Sequence, residues 1–193
     1  MGSEMCIRDS SPRSPLDAVK KGMAYITESR RDNGFFPNFS IAQNMAISRS
    51  LKDGGYKGAM GLFHEVDEQR TAENQRELLA LKCHSVNQNI TELSGGNQQK
   101  VLISKWLCCC PEVIIFDEPT RGIDVGAKAE IYKVMRQLAD DGKVILMVSS
   151  ELPEIITVCD RIAVFCEGRL TQILTNRDDM SEEEIMAWAL PQE

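Results

Sequence analysis

The sequence predicts an α/β fold with a parallel core sheet. Two short apolar runs, 23–26 and 113–116, have the length and composition of strands. The second run is uninterrupted, which is typical of a strand buried on both faces of a parallel sheet. Segments with helix periodicity lie around these runs, most clearly 126–139, whose apolar residues recur at i, i+3, i+4, i+7 and i+8.

The composition sets limits on the class of protein. With 193 residues and 42% hydrophobic content, the chain can bury a core of about one domain. The formal net charge of −7 argues against a nucleic-acid binder, which would carry a basic face. No apolar stretch approaches the roughly 18–20 residues that cross a bilayer, so we expect any membrane association to be peripheral. The seven cysteines have neither metal-site nor disulfide-framework spacing and favour free thiols in a reducing cytosol.

The first half of the chain carries few signals for individual elements. Residues 1–10 lack hydrophobic periodicity, and 1–15 as a whole is expected to be an extraneous leader and loop. After the first predicted strand, a glycine-rich connection occupies 52–58. The segment 65–81 contains strong helix formers and neither Gly nor Pro, which predicts a helix with a solvated charged face.

The stretch 93–100, Leu-Ser-Gly-Gly-Asn-Gln-Gln-Lys, has the composition of an anion-binding helix start. The hydroxyl of Ser94 can cap the helix. Gly95 and Gly96 let a phosphate approach bare backbone N–H groups, where the helix end adds about half a positive charge. The following helix is expected to bury one apolar face and to stop at Pro111.

The predicted strand 113–116 ends in two carboxylates, Asp117 and Glu118. Ligands of open α/β sheets gather at the carboxyl ends of strands. Asp117 can hold magnesium directly or through water, while Glu118 can face a nucleophilic water as a general base. The alternative is an acidic strand-to-turn junction that Pro119 terminates.

The second half of the chain alternates helix and strand signals. Asp124 can cap the helix 126–139, which Gly142 ends, and a buried strand is expected at 143–148. A hairpin is predicted from 160–165 to 169–174 through Glu167-Gly168. Ser181 and the three glutamates after it predict a capped final helix.

The run 93–100 followed by 113–118 resembles the signature and Walker B motifs of ATP-binding cassette (ABC) ATPases. The match is similar in detail to the C-terminal cassette of double-cassette ATP-binding proteins in bacterial ribose-, galactoside- and xylose-type importers. The run 117–128 and the pair Ser149-Ser150 carry this finer resemblance. It implies a truncated P-loop NTPase-type nucleotide-binding domain over 16–175, with a helical subdomain at about 40–110 and a C-terminal helix and tail at 176–193.

The resemblance also implies a set of site residues for ATP and Mg²⁺. Glu118 would be catalytic, and Asp117 would hold the Mg²⁺. Glu28 occupies the position of the family's Q-loop glutamine, and Ser150 that of its switch histidine; Glu28 is otherwise a solvated strand-end residue. A carboxylate cannot donate a hydrogen bond unless protonated, and a serine lacks the reach of an imidazole. The implied nucleotide-binding residues are Ser94, Gly95, Gly96, Gln98 and Asp124.

One family motif is absent from these 193 residues, namely the phosphate-cradling G-x-x-x-x-G-K-[ST] loop. It would precede Met23, together with the first strand and an adenine-stacking aromatic residue. The chain is therefore expected to be a fragment that is inactive alone. In the family, two cassettes close head to tail, so Ser94 would act in trans on nucleotide that the partner cassette holds, and Glu118 in cis.

The implied partners are the N-terminal cassette of the same polypeptide or a second copy, membrane permease subunits and, indirectly, a periplasmic sugar-binding protein. The implied location is the cytoplasmic face of the inner membrane, with no nucleic-acid partner. In the family, the permease and the binding protein select the sugar, which the sequence therefore does not identify. Two alternatives remain: a non-catalytic cassette remnant that dimerises or regulates, and a non-transport ABC protein that acts on ribosomes or DNA.

Overall fold

The computed structural model describes residues 11–53 and 65–191 and divides the chain into two compact units, one up to Leu146 and one from Met147. Within the described ranges, no helix is long and apolar enough to cross a bilayer. Residues 1–10 and most of the glycine-rich connection lie outside these ranges. The elements are α1 (Pro15–Lys20), β1 (Met23–Ile26), a π-turn (Arg30–Gly34), α2 (Ile41–Asp53), α3 (Glu65–Leu78), α4 (Gly95–Leu107), β2 (Val113–Asp117), α5 (Val125–Asp140), β3 (Val144–Val148), α6 (Leu152–Val158), β4 (Arg161–Cys166), β5 (Arg169–Thr175) and α7 (Glu182–Ala189).

The core sheet has the strand order β1-β2-β3, and β1 pairs with β2 in parallel. Both predicted strands are confirmed, and Ile26 lies opposite Phe116 in the register. These two side chains and Ile114 are fully buried. On α5, Ile131 and Met135 are also buried, as the apolar periodicity of this segment predicts.

The expectation that strand 143–148 is buried is wrong. In β3, the side chains of Val144, Leu146 and Val148 are 59%, 51% and 50% exposed. The strand lies at the end of the three-stranded order, with β2 as its neighbour. An apolar run indicates a strand, but whether another layer covers that strand depends on the rest of the fold.

The helical subdomain packs around α2 and α4, and its core includes Ile41, Met45, Ile90 and Val101. Buried Asn44 holds the loop that enters α2: its Oδ1 accepts from the Phe36 N–H at 2.7 Å, and its Nδ2 donates to the Phe36 carbonyl at 3.1 Å. The predicted helix from residue 65 is confirmed, but it ends at Leu78. Near the start of the first unit, the sequence predicts a loop that ends at residue 15, and the structure has the helix α1 beginning at Pro15.

The second unit contains the predicted β4–β5 hairpin, whose strands pair antiparallel. Its turn residues Glu167 and Gly168 have φ of 50° and 76°, the backbone that tight hairpins require. The Ser181 hydroxyl caps α7 by accepting from the Glu184 N–H at 3.3 Å. Ile185 of α7 packs in the same core cluster as Ile162 and Val164 of β4. The helix α7 and the hairpin therefore belong to one unit, and the structure has no boundary between them at residue 175.

Candidate functional site

We use the name signature loop for residues 93–97, which comprise Leu93, the capping residue Ser94 and the first three residues of α4. Ser94 is exposed, and its Oγ accepts a hydrogen bond from the Asn97 side-chain amide at 2.9 Å. The predicted hydroxyl cap on a backbone N–H is therefore wrong in this structure. Consequently, the first-turn N–H groups of α4 are not engaged by the Ser94 hydroxyl, which suits a helix start that receives an anion.

The two glycines of the signature loop are closely packed against other parts of the protein. A Cβ added to Gly96 would come within 2.5 Å of the Cβ of Ala127 on α5. A Cβ added to Gly95 would come within 2.9 Å of the Arg30 guanidinium. Both distances are too short for a Cβ unless a neighbour shifts, and Ala127 has no flexible side chain that could move away, whereas the end of the Arg30 side chain could. Packing therefore restricts Gly96 more strongly than Gly95.

Gln98 and Asn97 occupy different environments at the start of α4. The Gln98 side chain is 4% exposed, and its Nε2 donates to the Ile90 carbonyl at 3.4 Å. It lines a cavity of about 340 Å³, together with Arg31, Phe35, Pro37 and Thr91. The structure brings Asn97, which the sequence analysis does not select, to Ser94. Nucleotide binding by Gln98 stays a prediction.

The carboxyl end of β2 carries Asp117 and Glu118, as the sequence predicts. The Tyr25 hydroxyl on β1 donates to Asp117 Oδ2 at 2.5 Å, and this hydrogen bond is the main cause that raises the pKa of Tyr25. Glu118 has φ of +47°, a left-handed conformation that is uncommon outside glycine and recurs at functional sites. The two carboxylates therefore follow different backbone geometries.

A magnesium ion at Asp117 is compatible with this arrangement. In the described part of the chain, no three acidic, histidine or cysteine side chains converge on one point. Mg²⁺ needs no such cluster, because it usually takes one or two carboxylates, several waters and the phosphates of the substrate. Asp117 is half-buried and lies beside the strand end, so it fits that single-carboxylate role.

Glu28, after β1, forms an ion pair with Arg121 of the turn between β2 and α5. This turn, residues 119–124, resembles the family's D-loop. The two side chains are 43% and 66% exposed, so the pair contributes at most about 1 kcal/mol to stability. Glu28 is thus not merely a solvated residue, because it pairs with Arg121. Its catalytic role stays a prediction.

Arg30 also forms hydrogen bonds to this turn, although no sequence pattern predicts a role for it. Its Nη1 donates to the Arg121 carbonyl at 2.9 Å, and its Nη2 donates to the Gly122 carbonyl at 3.1 Å. The sequence holds no periodicity or motif that selects this arginine among its neighbours. The contacts span 91 and 92 residues of chain and appear only in the folded structure.

The last two predicted site residues lie in different units. Asp124 caps α5 through Oδ1, which accepts from the Ala127 N–H at 2.9 Å, so the predicted cap is confirmed. Ser150 is exposed and follows β3 in the second unit. In the first unit, the structure gathers the signature loop, the β1 exit and turn 119–124 around Arg30.

Comparisons with known proteins show the family to which the chain is related. The family model described as "ABC transporter" matches residues 5–121. The D-allose import ATP-binding protein AlsA of Escherichia coli K12 is 99% identical over 186 residues, which cover 96% of this chain and 36% of that protein. The ribose import ATP-binding protein RbsA of a Bacillus cereus strain is 46% identical over 91% of the chain and 35% of its own length. The chain therefore spans about a third of the curated relatives it matches.

Solved structures show the same fold at low sequence identity. An ATP-binding cassette of an ABC transporter superposes with a TM-score of 0.75 at 19% identity, over 95% of this chain and 74% of that one. A dimeric cassette in a post-hydrolysis state with ADP and Pi gives a TM-score of 0.66 at 22% identity, over 82% of this chain and 64% of its own. The fold is that of an ATP-binding cassette, of which this chain covers a part.

Proposed function

The chain belongs to the ABC transporter family, and on this basis we propose that it is part of the ATP-hydrolysing subunit of a monosaccharide importer. We further propose D-allose as the sugar. The name of the 99% identical relative supports D-allose. The ribose relative and an L-arabinose transport ATP-binding protein of Geobacillus stearothermophilus, each 46% identical, support the monosaccharide class.

The signature loop would complete an ATP site in trans, on nucleotide that another cassette holds. The observation that carries this proposal is the exposed Ser94 at the start of the 13-residue helix α4. Its hydroxyl does not cap the helix, so first-turn N–H groups and the helix dipole can both address a phosphate. Gly95 and Gly96 would leave that approach open.

The strand end at Asp117 and Glu118 would serve the nucleotide of its own cassette. Bound Mg²⁺ would neutralise phosphate charge, and Asp117 would hold it. Glu118 would orient and polarise the attacking water. Because the 193 residues contain no phosphate-cradling G-x-x-x-x-G-K-[ST] loop, we propose that they do not bind ATP by themselves.

The partners would be a second cassette, permease subunits and, indirectly, a sugar-binding protein, at the cytoplasmic face of the inner membrane. The relatives' description as import ATP-binding proteins supports this assembly. An exposed aromatic pair supports a protein contact near the cavity: the rings of Phe36 and Phe39 stack at 5.2 Å and are 46% and 38% exposed. Such a pair suits an apolar segment of a permease.

A non-catalytic cassette is the second candidate function. Two observations favour it over turnover at the cis site. Glu28 is held in an ion pair with Arg121, and a serine, Ser150, stands at the position of the switch histidine. On this alternative, the cassette would bind its partner and donate the signature loop without hydrolysing ATP at its own site.

The full-length protein, reconstituted with its permease and sugar-binding protein in liposomes, tests these proposals through sugar-stimulated ATPase. We expect D-allose to stimulate more than ribose. Ser94→Trp should lower the rate at least about 100-fold, because the bulky ring blocks the trans phosphate site. Glu118→Gln should cost less than about tenfold, because it affects only the degenerate cis site.

The matched control is Ser85→Trp, which places the same ring at another exposed serine and should leave the rate unchanged. Equal stimulation by ribose would overturn the sugar assignment. A greater loss for Glu118→Gln than for Ser94→Trp would overturn the division of labour between the two sites.

A further inference from the structure

The guanidinium of Arg30 bridges two loops that the proposed function uses together. It donates to two consecutive carbonyls of turn 119–124, those of Arg121 and Gly122. It also lies against the signature loop, since a Cβ on Gly95 would meet Nη2 at 2.9 Å. The planar guanidinium fork suits such paired acceptors, whereas a lysine ammonium would reach one at a time.

The backbone that carries Arg30 is fastened to the body of α4. The π-turn ends at Gly34, whose carbonyl accepts from buried Lys105 at 2.6 Å. A Cβ on Gly34 would meet the Leu102 side chain at 3.0 Å, so the turn packs directly on the helix. The π-turn that carries Arg30 is therefore held against α4, and the Arg30 side chain extends from it to turn 119–124.

The contacts of Arg30 differ from those of a surface ion pair. Its two hydrogen bonds go to carbonyl oxygens, and in the described part of the chain its buried Nε has no acceptor. The neighbouring carboxylate Glu28 pairs with Arg121 instead. Arg30 is half-buried, and its hydrogen bonds go to neutral carbonyls, so no carboxylate among the described residues offsets its desolvation. Such an arrangement adds little stability by itself, which indicates a role in holding the two loops.

We propose that Arg30 is a positioning residue that holds turn 119–124 in register with the signature loop. Ser94 and Asp124 then keep a fixed position relative to each other when they contact a nucleotide between two cassettes. The inference rests on the proposed function, because it deepens the role of the trans site. Loss of the fork should let the two loops move independently and should lower turnover without a comparable change in nucleotide affinity.

The test uses the full-length protein in its liposome-reconstituted complex, with Arg30→Gln, Arg30→Lys and the control Arg70→Gln. Arg70 is exposed on α3, where it pairs with Asp67 of the same helix. For Arg30→Gln, we expect kcat to fall about 10–100-fold while the KM for ATP changes less than about threefold. Arg30→Lys should be intermediate, and Arg70→Gln should match the wild type.

Hydrogen exchange of the same variants supplies a readout that needs no turnover. Peptides covering 93–98 and 119–124 should both exchange faster in Arg30→Gln than in the wild type. The inference would be overturned if exchange were unchanged in either peptide or if Arg30→Lys were fully active. It would also be overturned if the loss of ATPase rate in Arg30→Gln equalled the fraction of unfolded protein. A wild type that hydrolyses no ATP would instead refute the proposed function, while exchange still decides whether Arg30 holds the loops.

Discussion

Gly96 lies where α4 and α5 approach too closely for a side chain. The sequence predicts that this glycine allows a phosphate to approach, and close packing is a second reason for a glycine here. A Cβ here would overlap the Cβ of Ala127, at 2.5 Å. The residue thus limits the distance between α4 and α5, which links packing to the geometry of the proposed trans site.

We expect Gly96→Ala to destabilise the chain by about 1–3 kcal/mol through overpacking. Ala127→Gly should relieve the overlap, so the double variant should be more stable than the sum of the single effects predicts, by about 1 kcal/mol. Urea unfolding of the chain measures both. Gly126→Ala is the control, because its Cβ would meet Asp124 Oδ1 at an ordinary 3.5 Å. Additive single effects would contradict the overlap.

At the scale of elements, Lys100 connects α4 to α5 and to the end of α3. Its side chain is 4% exposed; Nζ donates to the Ala80 carbonyl at 3.1 Å and forms an ion pair with Glu130 at 2.8 Å. The hydrogen bond from Lys100, with a further one from Lys82, lowers the pKa of Glu130. Lys100, the last residue of the run 93–100, therefore joins α4 to α5 and to the segment after α3.

Glu130→Gln should destabilise the chain by about 1–3 kcal/mol, because it leaves the buried Lys100 charge without its carboxylate. Lys100→Met combined with Glu130→Gln should cost less than the two single effects together. The depressed pKa of Glu130 makes this contribution fully present at neutral pH, and it should disappear as the pH falls through the folded-state value, below 4.5.

Urea unfolding at pH 7 and at about pH 3 measures this contribution. The control Glu73→Gln breaks a half-exposed pair with Arg76, whose side chain is less buried than that of Lys100, and should change stability by less than about 1 kcal/mol. Equal effects of Glu130→Gln and Glu73→Gln at neutral pH would show that burial of Lys100 does not matter.

At the scale of the whole molecule, the sequence contains runs that resemble the signature and Walker B motifs of a cassette, but no phosphate-cradling G-x-x-x-x-G-K-[ST] sequence. We therefore expect isothermal titration of the 193-residue chain with Mg-ATP to give no measurable binding. The full-length protein is the positive control and should bind. A dissociation constant in the micromolar range for the chain alone, about −8 kcal/mol, would contradict the trans-site model.

Local patterns account for the elements that the sequence predicted correctly. The strands 23–26 and 113–116, the Asp124 cap and the hairpin turn at Glu167-Gly168 each depend on neighbours within a few residues. The expected Ser94 cap is not formed, and the Ser94 hydroxyl accepts instead from the Asn97 side chain, three residues away. The burial of β3 failed because composition does not report which layer covers a strand.

The sequence by itself determined the family, the order of the motifs and the residue types at the strand end, since each is written in short runs of adjacent residues. Only the tertiary structure decided that Tyr25 donates to Asp117, that Glu28 pairs with Arg121 and that Arg30 spans two loops. Each of these contacts joins residues more than 90 positions apart. The physical reason is that parallel pairing of β1 with β2 brings their carboxyl ends together, and no local pattern specifies which side chains meet there.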